Sequence, residues 1–185
     1  MARALMRSPV IWRAAFIALL LGWPAAPALA QCGAICGELR AHTVEISQNG
    51  DELSVALDQS QARRATARIT QTGQANSVNL VQSGASRANV SQAGSGNSAS
   101  LTQSGEIGAA ARLWISQAGE GNSVDATQNG ADNRAALIQT GDGNALQLDQ
   151  IGPDNAAFIA QSGAELAIGV TQTGGGAISV FQHNR

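Results

Sequence analysis

A glutamine that returns at nearly constant intervals between residues 48 and 182 constrains this chain more than any other feature. Eight of the twelve intervals between successive glutamines of the series are eleven residues long, and the others range from ten to fourteen. Because this spacing persists over most of the chain, the sequence predicts a repeat architecture in which every unit forms the same local structure. The repeated glutamines are Gln48, Gln59, Gln71, Gln82, Gln92, Gln103, Gln117, Gln128, Gln139, Gln150, Gln161, Gln172 and Gln182.

Glycine and asparagine follow the same interval. A glycine stands two places after every glutamine of the series except Gln59 and Gln182, and an asparagine often stands five places after. The unit is therefore Gln-x-Gly-x-x-Asn-x-Φ-x-Φ-x, in which Φ is an apolar residue. The glycines are Gly50, Gly73, Gly84, Gly94, Gly105, Gly119, Gly130, Gly141, Gly152, Gly163 and Gly174, and the asparagines are Asn76, Asn97, Asn122, Asn133, Asn144 and Asn155.

The composition of the unit favours strands and turns over helices. An eleven-residue period also occurs in right-handed helical coiled coils, but a glycine in almost every unit disfavours a helix. Glycine and asparagine clusters are typical of turns, and the residues between them alternate with period two, which indicates strands. In Asn97–Gln103, NSASLTQ, the asparagine, the two apolar residues and the glutamine share one face, while the serines and the threonine share the other.

Each unit is then a strand of about seven residues followed by a turn of about four. Two such units can bury their shared faces against each other as a flattened coil, or rung, of about 22 residues. The sequence therefore predicts an all-β fold, a β-solenoid of stacked strand-arc-strand rungs with cross-β, amyloid-like pairing. About six rungs at roughly 4.8 Å each give a solenoid about 30 Å long.

The predicted inward position of the glutamines raises an energetic problem. An unpaired buried amide costs roughly 2–7 kcal/mol on transfer scales. Stacking solves this problem, because an identical amide one rung away can donate or accept a hydrogen bond along the solenoid axis. We therefore expect Gln117 to stack on Gln139, and Gln128 to stack on Gln150. The glycines would permit the positive φ angles of tight turns.

Two units depart from the pattern. The interval from Gln59 to Gln71 contains three arginines and has no turn glycine, and the interval from Gln103 to Gln117 contains three extra residues. We expect a bulged arc or a widened turn in these units, with Trp114 facing outward. In the final unit the alternation places Phe181 outward.

The first 30 residues have the pattern of a secretory signal peptide. Three arginines precede a short apolar run, Ala14–Trp23, and small residues at Ala28 and Ala30 form a cleavage site. The predicted organisation is a signal peptide at 1–30, a short leader at 31–43 and the repeat solenoid at 44–185. The apolar run is too short for a comfortable membrane span, and no second one follows, so we expect a secreted mature chain without a transmembrane segment.

The leader contains two cysteines, Cys32 and Cys36. In an oxidising compartment they could form a disulfide within the chain or between molecules; two free thiols are the alternative. A metal site would need more ligands than these two residues and His42 provide.

Composition disfavours several classes of function. Removing 1–30 leaves eight arginines against thirteen acidic residues, a net charge of −5, and the chain has no tyrosine. Without a basic stripe in the sequence, a role that requires nucleic acid is not expected. The two histidines stand at opposite ends of the repeat region and the carboxylates are scattered, so the sequence predicts neither an enzyme nor a cofactor site.

The ends of the predicted solenoid are the candidate site of self-assembly. Monomeric solenoids usually cover their terminal rungs with capping elements, and the last unit, Gly174–Arg185, keeps the repeat pattern instead of changing to a cap. An uncapped ladder would add a further molecule at its end, so the sequence predicts polymerisation by edge-to-edge strand addition. The alternative is a monomeric, capped solenoid that acts as a surface adhesin module.

The repeats resemble those of the curlin family. The segments QAGSGNSASLTQ (Gln92–Gln103) and QTGDGNALQLDQ (Gln139–Gln150) have the spaced glutamine, glycine and asparagine of curlin repeats, and the resemblance extends from about Val44 to Gln182. Curlins are subunits of curli, the extracellular functional amyloid fibres of bacterial biofilm matrix. The resemblance implies export through the periplasm and a dedicated outer-membrane pore with its accessory factors, assembly with itself and other curlins at the cell surface, and a role in adhesion. Both the major, fibre-building subunit and the minor, nucleating subunit stay open.

Overall fold

The computed structural model describes residues 31–32, 42–106 and 109–184. These residues form strands and turns with no helix. The strands are β1 (Gln31–Cys32), β2 (Thr43–Asp51), β3 (Ser54–Gln74), β4 (Ser77–Ser95), β5 (Ser98–Gly105), β6 (Ala111–Glu120), β7 (Ser123–Asn129), β8 (Arg134–Thr140), β9 (Ala145–Ile151), β10 (Ala156–Ser162), β11 (Ala167–Thr173) and β12 (Ala177–His183).

The strands stack in parallel into two facing sheets. The first sheet contains β2, residues 66–74 of β3, residues 86–95 of β4, β6, β8, β10 and β12. The second sheet contains residues 54–58 of β3, residues 77–84 of β4, β5, β7, β9 and β11. The chain alternates between the two sheets, and each complete turn advances it by one rung. The predicted β-solenoid of about six rungs is confirmed.

Strand register keeps equivalent residues of successive rungs side by side. Gln117 pairs with Gln139 in the first sheet, and Gln128 pairs with Gln150 in the second. Parallel pairing in register places identical residue types in columns along the axis, so a pattern repeated in sequence becomes a ladder in space.

The core is a narrow layer of apolar side chains between the two sheets. The inward leucines and isoleucines are almost fully buried; Leu101 is 1% exposed, and Leu137, Leu148 and Ile159 are 0% exposed. In β5 the alternate serines and threonine are exposed, as the period-two pattern predicts. Because each rung contributes few apolar residues, the core is only about one sheet spacing thick, roughly 10 Å.

The two turns of each rung differ in regularity. We call the turn from the first sheet to the second the tight corner (residues 49–53, 72–76, 93–97, 118–122, 140–144 and 162–166). We call the turn back the variable corner (described residues 60–65, 83–85, 104–106 with 109–110, 130–133, 152–155 and 174–176). The six glutamine intervals that span the tight corner are all eleven residues, whereas those that span the variable corner are twelve, ten, fourteen, eleven, eleven and ten. Every departure from the eleven-residue period therefore lies at one side of the solenoid.

The irregular units have the expected consequences. The pairing of β3 with β4 shifts register between Asp58 and Gln61 and again between Ala62 and Arg64, so the arginine-rich unit is accommodated as a bulged arc. Trp114 is 41% exposed and Phe181 is 73% exposed, which confirms that both face outward.

The signal peptide, Cys36 and the side chain of Cys32 lie outside the described residues, so the predicted segment boundaries and disulfide stay predictions.

Candidate self-assembly site

The repeated glutamines form two continuous ladders of side-chain hydrogen bonds. In each ladder the Nε2 of one glutamine donates to the Oε1 of its neighbour in the next rung, and the distances are 2.7–3.0 Å. The first-sheet ladder contains Gln48, Gln71, Gln92, Gln117, Gln139, Gln161 and Gln182, and the second-sheet ladder contains Gln59, Gln82, Gln103, Gln128, Gln150 and Gln172.

A second hydrogen bond links each glutamine to the opposite sheet. From Gln71 onward, each Nε2 also donates to a backbone carbonyl of the facing strand; Gln139, for example, donates to the carbonyl of Ser123 at 3.0 Å. Both amide protons are therefore used, one along the axis and one across the core. Because the buried amides are satisfied, their transfer penalty is offset, and the crosslink ties the two sheets together.

The tight corner carries a column of asparagines with its own hydrogen-bond network. Asn122 donates from Nδ2 to the Oδ1 of Asn97 at 3.0 Å and to the carbonyl of Gly141 at 2.6 Å. Its own Oδ1 accepts from the backbone N–H and the Nδ2 of Asn144, at 3.1 and 3.0 Å. The same pattern begins at Asn76, and Leu53 and Leu166 occupy the equivalent positions in the first and last rungs.

At the variable corner the equivalent column is incomplete. The positions in register are Ala65, Ser86, Ala111, Asn133, Asn155 and Gly176. Asn133 accepts from Asn155, but its own Nδ2 is buried without a partner, and the Oδ1 of Asn155 is also buried without a partner. The two-member column has one orphaned polar atom at each end. At the ends of the tight-corner column, by contrast, Asn76 Nδ2 donates to backbone carbonyls and Asn144 Oδ1 accepts from the N–H of Leu166.

The glycine column allows the rungs to approach closely. A Cβ on Gly119 would overlap the carbonyl oxygen of Gly141, and Gly119 has a φ of 119°. The same overlap holds between Gly73 and the carbonyl of Gly94. Glycine is therefore required both by the backbone conformation and by the carbonyl of the next rung. Gln182 has no following glycine; Asn184 stands there instead, and its Nδ2 donates to the carbonyl of Ala164.

The glutamine and asparagine ladders have opposite directions. Glutamine Nε2 groups donate toward the C-terminal rungs, whereas asparagine Nδ2 groups donate toward the N-terminal rungs. Each glutamine ladder consequently ends with an acceptor at the N-terminal side and a donor at the C-terminal side. Within the described residues, no donor reaches the half-buried Gln48 Oε1, and Gln182 gives only one of its two amide protons, to the carbonyl of Ala167 at 3.3 Å.

The second-sheet ladder ends differently. Gln172 donates both to the carbonyl of Ala156 at 3.1 Å and to the carbonyl of Gly176 at 3.2 Å, so its amide protons are satisfied within the chain. At the C-terminal end, the first-sheet ladder is open toward a further rung and the second-sheet ladder is closed.

The terminal strands expose backbone edges. In the described part of the chain β2 pairs only with β3, and β12 pairs only with β10. At the outer edge of the second sheet β1 pairs in parallel with β3, with Gln31 opposite Ala56 and Cys32 opposite Leu57. Unpaired edge strands are templates for strand addition.

Sequence reasoning missed a column of three arginines. Arg87, Arg112 and Arg134 pair in register on the exposed face of the first sheet. The expectation that the chain lacks a basic stripe is therefore wrong for the folded protein, because residues 22 and 25 positions apart are separate in sequence and adjacent in space. The signal that could have revealed the column is the position of each arginine five places before the next glutamine of the series.

Other charged residues contribute little to the stability of the solenoid. Arg68 pairs with Glu45 at 2.7 Å, but both side chains are more than half exposed, so the ion pair adds little stability. The backbone N–H of Ser60 donates to Asp58 at 2.8 Å and lowers the pKa of that carboxyl group. Among the described residues, no group of histidine, cysteine, aspartate and glutamate is arranged to hold a metal ion.

Comparison with known proteins identifies the repeat. Residues 119–152 match the family model of the curlin associated repeat, which agrees with the resemblance seen in the sequence. The chain has no match among curated proteins and none among solved structures. Within the described residues no helix is long and apolar enough to cross a membrane.

Proposed function

Starting from the curlin family, whose membership the repeat match supports, we propose that this chain is a secreted structural subunit of extracellular curli-type amyloid fibres. The repeat and the β-solenoid fold indicate a structural protein. In this proposal the fibre belongs to the matrix of a biofilm and serves cell adhesion. The glutamines, asparagines and turn glycines of the ladders are the residues of self-assembly.

The observation that carries the proposal is the complementarity of the two open ends. The N-terminal rung offers the free Oε1 of Gln48, and the C-terminal rung offers the second amide proton of Gln182. Aligning these two glutamines also places Ile178 beside Val44 and Val180 beside Ile46. All four apolar residues are partly buried against the core, so joining the ends would bury them further.

The direction of strand addition follows from the same ends. All described pairings between the strands of the solenoid are parallel. Head-to-tail joining continues this parallel ladder, whereas joining two equal ends would oppose two acceptors or two donors. Unlike a twofold interface, a head-to-tail contact leaves an open end after each addition, so it produces a filament.

Export and assembly partners follow from the leader pattern and the family. A signal peptide at 1–30 would carry the chain to the periplasm, and a curli-type subunit would leave through the outer-membrane secretion pore with its accessory factors. The partners at the cell surface are further copies of this chain and other curlin subunits.

Fibre formation can be tested with the chain from Gln31 to Arg185, diluted from denaturant. We expect thioflavin fluorescence to rise after a lag and the product to give a meridional reflection at about 4.7–4.8 Å. A stable soluble monomer without that reflection would refute the fibre and favour the monomeric adhesin. Seeding a major curlin with the product tests the subunit type, since a shortened lag identifies a nucleator.

The ladder ends can be tested by substitution. Gln48→Leu or Gln182→Leu should slow elongation more than Gln128→Leu, because only the first two remove a group that joins two molecules. The elongation rate is measured from preformed seeds of the unaltered chain. Equal slowing by all three variants would contradict control by the ladder ends.

A further inference from the structure

The two sheets of the solenoid contain unequal numbers of strands. The repeat region begins with β2 and ends with β12, and both belong to the first sheet. Among the described residues the first sheet therefore has seven strand segments and the second sheet has six, without β1. This half-rung excess has a geometric consequence for any fibre built by stacking copies end to end.

Head-to-tail stacking leaves a vacancy in the second sheet. When β2 of an incoming copy lies directly on β12 of the preceding copy, the first sheet continues without interruption. The next second-sheet strand of the incoming copy, residues 54–58 of β3, then lies two strand spacings from β11 of the preceding copy, or about 9.6 Å. One strand is missing between them at every joint.

β1 occupies that level of the stack. It lies in parallel on the outer edge of residues 54–58, in register with Ala56 and Leu57. Resting on the proposed function, we propose that β1 occupies the vacant half-rung at each joint, pairing with β3 of its own chain on one side and with β11 of the preceding copy on the other. β1 is then part of the fibre.

The ends of the glutamine ladders fit this joint. In the first sheet Gln182 meets Gln48 of the next copy, so that ladder continues with an open donor against an open acceptor. In the second sheet Gln172 already gives both protons to carbonyls of its own chain. A filling strand therefore needs to supply no acceptor to Gln172, and backbone pairing suffices on the side of β11.

The joint makes the two chain ends interdependent. Removing β1 leaves the vacancy, whereas removing β12 gives six strands in each sheet and makes β1 of the incoming copy collide with β11. Removing both gives a solenoid that stacks without any filler. The structure thus predicts that each truncation alone slows assembly, whereas the two truncations together restore it.

A set of four chains tests this prediction: 31–185, 41–185, 31–174 and 41–174. We expect 31–185 and 41–174 to elongate their own seeds at similar rates, and each single truncation to elongate at least about tenfold more slowly, since it forfeits or blocks several backbone hydrogen bonds per joint. Circular dichroism before assembly checks that each chain folds. Images of the fibres should give a subunit repeat of about 34 Å for 31–185 and about 29 Å for 41–174.

The possible results distinguish failure of the proposed joint from failure of fibre formation. If 31–185 forms no cross-β fibre, the proposed function fails and the joint fails with it. If 31–185 forms fibres but 41–185 elongates equally fast, or 41–174 is no faster than either single truncation, the joint alone is wrong. As a second measurement that does not depend on the double truncation, a peptide of residues 31–41 added to 41–185 should restore elongation, and a scrambled peptide should not; failure of the true peptide would also count against the joint.

Discussion

The tight corner and the variable corner of each rung both return the chain to the opposite sheet, but only the variable corner accepts changes in the number of residues. At the tight corner all six glutamine intervals are eleven residues, while at the variable corner they range from ten to fourteen. The tight corner holds four consecutive stacked asparagines, Asn76, Asn97, Asn122 and Asn144. The variable corner holds only Asn133 and Asn155.

This difference indicates that the asparagine column, more than the strands, requires a constant number of residues in each turn. Each tight-corner asparagine bonds an asparagine one rung away and the carbonyls of two different turns, for example Ala118 and Gly141 for Asn122. An extra residue in one rung would move its asparagine away from all these partners at once. Where the column is broken, a longer or shorter turn disturbs fewer bonds, and loop length itself costs little.

Insertion of one glycine should therefore give the largest difference between the corners in the free energy of unfolding. Between Glu120 and Gly121, at the tight corner, we expect a loss of at least about 3 kcal/mol because the hydrogen bonds of Asn122 and its neighbours are broken. Between Ala131 and Asp132, at the variable corner, we expect a loss of about 1 kcal/mol or less. Guanidinium unfolding followed by circular dichroism on freshly refolded chains measures both. Equal losses would show that turn length is restricted for another reason.

Substitution of a single asparagine should give the next largest difference. Asn122→Ala removes three donated and two accepted hydrogen bonds, and it removes a buried partner from the backbone N–H of Asn144 and from the carbonyl of Gly141, so we expect a loss of about 3 kcal/mol. Asn133→Ala removes two accepted bonds and an already orphaned Nδ2, so we expect about 1 kcal/mol. The same unfolding measurement gives the comparison.

The control for this pair is Ala111→Asn at the variable corner. An asparagine at this position would offer an Oδ1 to the orphaned Nδ2 of Asn133 and extend the two-member column. We expect the variant to increase the cost of a second substitution, Asn133→Ala, relative to the same change in the unaltered chain. If Asn133→Ala costs as much as Asn122→Ala from the start, column completeness does not explain the difference between the corners.

The sequence alone predicts the fold of this protein well because its local and repeated signals agree. Alternation assigns inward and outward residues, as in Asn97–Gln103, and the spacing of Gln117 and Gln139 predicts which residues stack. The direction of the ladders could not be predicted, since it depends on the orientation of each amide. Sequence reasoning missed the arginine column and the confinement of irregular intervals to one corner, because both become visible in the sequence only when alternate units are aligned separately.

Backbone strain should produce the smallest difference between the corners. Ala75 at the tight corner has a φ of 51° and Asp154 at the variable corner has a φ of 60°, whereas the equivalent residue of the next tight corner after Ala75 is Gly96. An alanine in this left-handed region costs about 1 kcal/mol, and aspartate tolerates it better. We therefore expect Ala75→Gly to stabilise the chain by about 0.5 kcal/mol and Asp154→Gly by less, since glycine loses more entropy on folding. The reverse variant, Gly96→Ala, should destabilise by about 0.5 kcal/mol, because a Cβ there would have ordinary space and only the conformation would oppose it. A midpoint of guanidinium unfolding that falls for Ala75→Gly would mean that the Cβ of Ala75 stabilises the tight corner by more than its strain costs.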